Sequence, residues 1–450
     1  MGMSALRLDV RVATAVGLLW ATGWAQILFA GNSATDPASP EQAAGPIQRE
    51  GQIMPTPDYT GSFAERSTMT GDWGGTRQDL ANHGITLDAY LAQVWQGVVS
   101  GGRETGSQYM GRGQIDLNLD TARMGLWPGG LFSVIGEGHY GNSIASNTGS
   151  VFPVNSNELF PQSDDGFVVP QVTYTQFVSK QLGFFVGKIA TIGGQSGDVN
   201  EFAYGKGDEQ FLNTSLSFTP IAAVTIPYST LGFGTVVIPV DDLQLTGLVL
   251  DPHGTADSGG FDTLFADGAT FSVVGRYRTH FFDMTGHQLL GGAYSTSSYA
   301  DLDQRAVNFV IPGLPTEKAD NSWCVFYNGD QYFYQPDPKV DRGVGVFGRV
   351  GRSDGIANPI KWFASAGVAG KGMIPGREYD QFGIGYYYAW AADTQIPSVL
   401  GFGDAQGVET YYQFAVTRWA QLSPDIQWIR PSQQNVDSSW ILGLRLKLIF

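Results

Sequence analysis

The residues whose types and spacing could do chemistry in this 450-residue chain are charged side chains on alternate positions. Arg112, Asp116, Glu137, Arg276, Arg278, Arg349 and Lys371 each fall on the polar parity of a stretch whose other parity is apolar. Arg445 and Lys447 do the same in the final stretch. Guanidinium and carboxylate groups spread along a wall can hydrogen-bond hydroxyls in place of water, at modest net gain per bond. Aromatic rings can stack on the apolar faces of a hydroxylated ring. Weak, repeated sites of this kind suit passage rather than bond breaking, since a permeant solute must leave as readily as it enters. A wall dominated by cations also admits small hydroxylated acids.

Patterns for covalent or cofactor chemistry do not survive their context. Gly343–Gly348, GVGVFG, satisfies a dinucleotide-type glycine spacing but lies inside an alternating strand, with no helix opening after it. AGKGM around Lys371 lacks the first glycine and the hydroxyl residue of a phosphate loop. Ala256–Gly260, ADSGG, resembles a serine-protease nucleophile segment, but no catalytic histidine context precedes it, and it reads better as part of a Gly/Asp-rich loop over Asp251–Gly260. Five histidines are scattered at 83, 139, 253, 280 and 287, with no metal shell between them. Asp251, Asp257 and Asp262 read as solvated loop carboxylates rather than calcium ligands. No cofactor, metal or catalytic residue is expected, and the chain does not read as an enzyme. A net charge of −16 argues against nucleic acid as a partner. Cys324 is the single cysteine, so no internal disulfide can form.

The elements that position the charges are strands. Only 15% of residues are charged, 13% are aromatic and 60 are glycine, as expected where an apolar outer face alternates with a polar inner one. In Ser438–Phe450, Trp440, Leu442, Leu444, Leu446, Leu448 and Phe450 share one parity, and Gly443, Arg445 and Lys447 the other. Ile115, Leu117 and Leu119 alternate with Asp116, Asn118 and Asp120; Phe271, Val273, Tyr277 and Phe281 alternate with Arg276, Arg278 and His280. Both parities are apolar around Lys188, which leaves its direction open. Trp95, Trp362, Trp390, Trp419, Trp428 and Trp440 sit near strand ends, as interfacial girdles would. About 370 residues follow the first helix, and a strand with half its connections takes about 22 to 25, which gives about sixteen strands.

Before the strands, Arg7 and Arg11 precede an apolar run from Val12 to about Ala30, read as a signal peptide over 1–30 with no clear cleavage point. Residues 31–61 are rich in Pro, Ala and Ser and are expected to be flexible. Within 62–84, Asp72 can cap a helix over Trp73–His83 that ends at Gly84. Residues 85–450 remain for the barrel.

Thr70–Gly102, TGDWGGTRQDLANHGITLDAYLAQVWQGVVSGG, resembles the N-terminal signature of the OprB carbohydrate-selective porins. Several later pieces fit in the same order: LWPGG at Leu126–Gly130, Gly187-Lys188 followed by Asp198 and Phe202-Ala203, FLNTS at Phe211–Ser215, GMIPGREYDQFGIGYYY at Gly372–Tyr388 and VTRWAQLSPDIQWI at Val416–Ile429. The resemblance implies an all-β, antiparallel transmembrane barrel of sixteen strands in the outer membrane of a Gram-negative bacterium. It implies a short periplasmic helix, long extracellular loops and passive diffusion of carbohydrates of monosaccharide size. General and sugar-acid-preferring porins are the alternatives; a barrel enzyme or a secreted glycan-binding β protein fits less well. The family's constriction of charged wall residues and inward loops carries over to Lys188, Asp198, Glu201 and the loop through Phe211 and Asn213. Whether these charges meet solute or only pair with one another stays open. Implied partners are outer-membrane lipid and lipopolysaccharide, and the barrel-assembly machinery reading the C-terminal Phe450; a homotrimer stays open as the assembly. The final strand is expected to close the barrel against the first, near Ile85–Val99.

Overall fold

A computed structural model describes residues 51–450 except 151, 161–165, 193–199, 255, 306–307, 309–315, 338–339 and 341. The expected signal peptide and residues 31–50 lie outside the described residues.

Side chains that alternate between two faces along each strand, with an apolar outer parity, suit the sixteen strands that form one closed antiparallel barrel. The first half comprises β1 (Ile85–Gly102), β2 (Gly106–Asp120), β3 (Gly130–Gly141), β4 (Val168–Ser179), β5 (Leu182–Ala190), β6 (Ser229–Val240), β7 (Leu243–Leu250), β8 (Thr270–Thr279) and β9 (Gly286–Ser295). A separate two-stranded sheet of β10 (Tyr299–Ala300) and β11 (Lys318–Ala319) follows within a loop. The barrel resumes with β12 (Ser322–Tyr334), β13 (Gly343–Ser353), β14 (Ile360–Lys371), β15 (Gln381–Ala391), β16 (Ala405–Thr417), β17 (Ala420–Arg430) and β18 (Asp437–Ile449). Each pairs with its neighbour in sequence, and β18 returns to β1 with Tyr90 opposite Ile449 and Gly97 opposite Leu442.

The final strand carries the expected faces. Leu442 and Leu444 are 40% and 42% exposed on the outer wall, while Arg445 and Lys447 are 1% and 4% exposed on the inner one. Outward Trp95, Trp362, Trp390 and Trp440 are exposed; Trp419 and Trp428 are half-buried. Tight turns, such as 180–181, 241–242 and 418–419, lie at the barrel end that carries the first helix and the C-terminus. Most of the long connections lie at the opposite end, and residues 200–228 of the longest, 191–228, pack inside the barrel.

The interior departs from simple alternation. Inward Phe185, Val236, Leu248, Val274, Phe326, Phe347 and Phe363 form one apolar cluster with Phe202, Phe211, Leu216, Ile221 and Ile226 of that inner loop. Strands behind the loop are apolar on both faces for this reason, including the stretch around Lys188.

The N-terminal segment differs in detail from its expected form. The helix is Thr76–Asn82, capped by Gly75 rather than Asp72. Gly71, Trp73, Gly74 and Gly75 all have positive φ (63°, 54°, 68° and 95°), so the helix cannot start earlier. Gly84 has φ 86°, which suits the residue just past a helix end. The turn aims Arg77 at the barrel's closing seam. Its guanidinium pairs with Asp88 at 2.9 Å, donates to the Phe450 carbonyl at 2.9 Å and lies 3.9 Å from the Tyr59 ring centre. Tyr59 Oη donates to the same Asp88 carboxylate at 2.8 Å, and Met69 N donates to Ile449 O at 2.7 Å.

Removing one partner of a buried pair costs about 3–5 kcal/mol, because the other charge is left uncompensated. Arg77→Ala is therefore expected to lower the temperature at which the folded band converts to the unfolded one on a detergent gel. An unchanged transition would show that the seam does not depend on Arg77.

Candidate functional site

The inner loop is a second structure suspended from the barrel wall. Asn213 caps the short helix Thr214–Ser217 by accepting from Ser215 N at 3.0 Å. The turn before it leaves the Leu212 and Asn213 amides facing β16, where the two oxygens of Glu409 accept one each, both at 2.7 Å. Asn213 Nδ2 donates to Gln427 Oε1 on β17 at 3.0 Å. On β12, Asp330 accepts from Glu201 N at 2.8 Å, and Asn328 Oδ1 accepts from Asn200 Nδ2 at 2.8 Å.

Wall cations complete the suspension. Arg349 of β13 donates to the carbonyls of Leu216, at 2.7 Å, and Ala203. Arg445 donates to the carbonyls of Gly207, at 2.9 Å, and Glu209. Lys447 pairs with Glu209 at 2.7 Å and Asp208 at 3.5 Å. Arg112 lies 3.3 Å from Glu137 and 3.6 Å from Asp208. Lys206 of the loop contacts Glu137, and Tyr228 donates to the other oxygen of Glu137 at 2.5 Å. Buried ions are costly unless paired or hydrogen-bonded; here Arg112, Glu137, Lys206 and Lys447 stand in ion pairs, while Arg349, Arg445 and Glu409 are held by backbone groups of the loop.

Burial is the largest single influence and raises the loop carboxyls of Asp208 and Glu209, but Lys447 beside both, with Arg112 at Asp208 and the Tyr204 hydroxyl at Glu209, together holds each below the usual carboxylate range. Groups depressed in the folded state stabilise it throughout the pH range above their ordinary value. That contribution is lost only as pH falls through the depressed values.

The expected site residues thus divide. Arg112, Glu137 and Arg349 converge on the loop, and Glu201 belongs to it. Asp116 faces the lumen, half-buried, and accepts from Gln114 Nε2 at 2.8 and 3.0 Å. Arg276 is buried on the inner face of β8, Arg278 is exposed at the helix-bearing end, and Lys371 is half-buried at that same end. Asp198 lies outside the described residues. Lys188 is misplaced by the expectation. It shares the outer face with Phe184 and Val186, stands opposite Val172, and donates to the carbonyls of Ala256 at 2.8 Å and Ser258 at 2.6 Å. The loop after β7 therefore caps it on the outside of the barrel, because strand parity sends even-numbered side chains of β5 outward.

The sequence reading passed over Glu409, Asp330, Asp208, Glu209, Lys206 and Tyr228. Glu409 and Asp330 share the parity of inward residues in VETYYQF and YNGDQY, which is the one local signal they carry. A row of amides was passed over too. Gln381 on β15 stands opposite Gln413 on β16 and takes a 3.4 Å hydrogen bond from Gln210 of the loop. Both amide atoms of Gln413, and Oε1 of Gln421 on β17, have no partner among the described residues.

Replacing Lys447 by Met removes the largest charge that opposes burial at Asp208 and Glu209. In single-channel recordings the variant is expected to gain open-channel noise at a higher pH than wild type does as the solution is acidified, because the two acids lose the charge that favours their ionised form. Superimposable traces would show that Lys447 does not hold the loop.

With this geometry in view, the comparisons with known proteins agree. The family profile "Carbohydrate-selective porin, OprB family" matches residues 104–450. Putative porin QuiX of Acinetobacter baylyi is 21% identical over 435 residues, covering 86% of this chain and 94% of that protein. Porin B of Pseudomonas aeruginosa is 22% identical over 191 residues, 37% of this chain and 42% of that one. The high-pH structure of Pseudomonas putida OprB superposes with a TM-score of 0.75 at 19% identity, covering 87% of this chain and 100% of that one, which places the two in one fold. A closed sixteen-strand barrel, an apolar outer wall and a match to that family over most of its length identify the chain as a bacterial outer-membrane channel belonging to the OprB family of carbohydrate-selective porins.

Proposed function

We propose that the channel passes neutral carbohydrates of monosaccharide size by passive diffusion, with the long loops outside and the helix-bearing end in the periplasm. The observation that carries this reading is the occupation of the wall cations. Arg112 and Lys447 are paired with carboxylates, and the donors of Arg349 and Arg445 are taken up by carbonyls of the inner loop, so the cationic face read from sequence is largely occupied where the loop packs against the wall. Toward the helix-bearing end the inner wall carries the half-buried amides Gln381 and Gln421, and an amide both donates and accepts, as a sugar hydroxyl requires. Exchange of hydrogen bonds with water along such a row is nearly neutral in free energy, which suits diffusion without trapping.

Preference for sugar acids is a second reading, supported by Arg278 and Lys371 near the same mouth. Membrane lipid and lipopolysaccharide would surround the barrel, and the assembly machinery would engage the Phe450 strand during insertion. A homotrimer remains the assembly to test.

Swelling of liposomes that hold the purified protein separates these readings. Neutral monosaccharides are expected to enter faster than sugar acids and disaccharides, and Gln381→Ala with Gln421→Ala is expected to slow them about two- to threefold at unchanged chloride conductance. Faster entry of the acids, lost in Arg278→Ala with Lys371→Ala, would favour the second reading. Rates that follow solute size alone would make this a general porin.

A further inference from the structure

The outer wall carries two arginines whose position the sugar channel does not explain. Arg352 lies on the outward parity of β13 with Val346 and Val350, near the end opposite the helix. Its guanidinium sits 6.0 Å from the Trp323 ring centre and 5.1 Å from that of Trp362. Trp362 is its register partner on β14, and Trp390 on β15 continues the row. Arg430 ends the outward parity of β17 beyond Ile426 and Trp428, in register with Gln406. Four strand spacings separate the two arginines, about 19 Å.

A guanidinium facing hydrocarbon is costly, and one in the aromatic belt is tolerated because anionic headgroups and water begin there. No carboxylate among the described residues pairs with Arg352 or Arg430. The nearest acid in sequence to Arg352, Asp354, is consumed by its own turn. Its Oδ2 accepts from Ser322 Oγ and Trp323 N, and its Oδ1 from the Ile356, Ala357 and Asn358 amides. Asp404, near Arg430, accepts from Tyr388 Oη at 2.7 Å and Ala391 N at 3.0 Å. Asp393 is paired with Lys361, which precedes Trp362 at the same level. Asp354, Asp404 and Asp393 therefore have partners of their own, and among the described residues no ion pair joins a carboxylate to Arg352 or Arg430.

We infer that Arg352 and Arg430 bind phosphate groups of the outer-leaflet glycolipid headgroup, with Trp323, Trp362 and Trp390 setting the depth at which those phosphates meet the wall. Planar guanidinium forks match phosphate oxygens in a bidentate manner, and aromatic faces hold the fork in place. The inference uses the orientation proposed above but not the identity of the permeant, so it stands if the sugar reading fails.

Native mass spectrometry of the full-length barrel in detergent tests it, using three probes: bis-phosphorylated lipid A, its dephosphorylated form and phosphatidylglycerol. Wild type is expected to retain phosphorylated lipid A above the other two, and Arg352→Gln with Arg430→Gln to lower that retention by about tenfold or more. Arg103→Gln is the control: this arginine at the same end is already bonded to Gln433, and the change is expected to leave retention unaltered. A heat-modifiable band establishes that each variant is folded. Equal retention by wild type and the double variant, equal binding of dephosphorylated lipid, or an equal loss in Arg103→Gln would overturn the site. Phosphatidylglycerol held as well as lipid A would overturn the outer-leaflet assignment.

Discussion

Everything in this molecule depends on pairing the last strand with the first. In hydrocarbon an unpaired backbone donor or acceptor costs several kcal/mol, so a sheet of this size is viable only without an edge. β18 meets β1 from Ile449 against Tyr90 to Ile441 against Val98 before the ladder slips. The N-terminal segment then braces the seam, since Arg77 holds Asp88 of β1 and the terminal carbonyl of Phe450 together. The glycine-rich turn before the helix gains its meaning here: its left-handed residues bring the chain back across the seam at the angle that Arg77 needs.

Closure creates an interior wide enough to need filling, and the loop between β5 and β6 fills it. Its apolar side chains pack on inward phenylalanines, and its backbone amides and carbonyls are taken up by Glu409, Asp330, Arg349 and Arg445. Folding the loop inward thus exchanges water for wall charges at each polar group, which keeps burial affordable. The same exchange changes how the lumen acts on a solute. On the proposed reading, cations that would attract acids are bound to the loop, and neutral amides and hydroxyls gain weight in what passes.

Much of the fold was legible. Period-two alternation in Ser438–Phe450, in the stretch around Ile115 and in the stretch around Phe271 placed outer and inner faces as they stand. The strand count followed from length, because strands that cross a bilayer have a nearly fixed size. The extra tight left-handed turn that delays the helix to Thr76 was not legible, since Trp73 at positive φ breaks the local preference of its residue type. Lys188 shows the limit more clearly. Two apolar parities signalled that something unusual lay behind β5, but not which side the lysine took.

The site was legible in part, and the division is physical. Alternation, the apolar outer face, the low charge content and the closing strand are encoded within single stretches, so the sequence by itself determined a barrel with charges turned inward. Which partner each charge meets was decided only in three dimensions. Glu409 reaches the Leu212 amide across 197 positions, and Arg445 reaches the Gly207 carbonyl across 238. Such contacts form because closure brings every strand to one shared interior and the loop enters it. No local pattern records them, since the groups that Glu409, Arg349 and Arg445 meet are backbone amides and carbonyls that any sequence would supply.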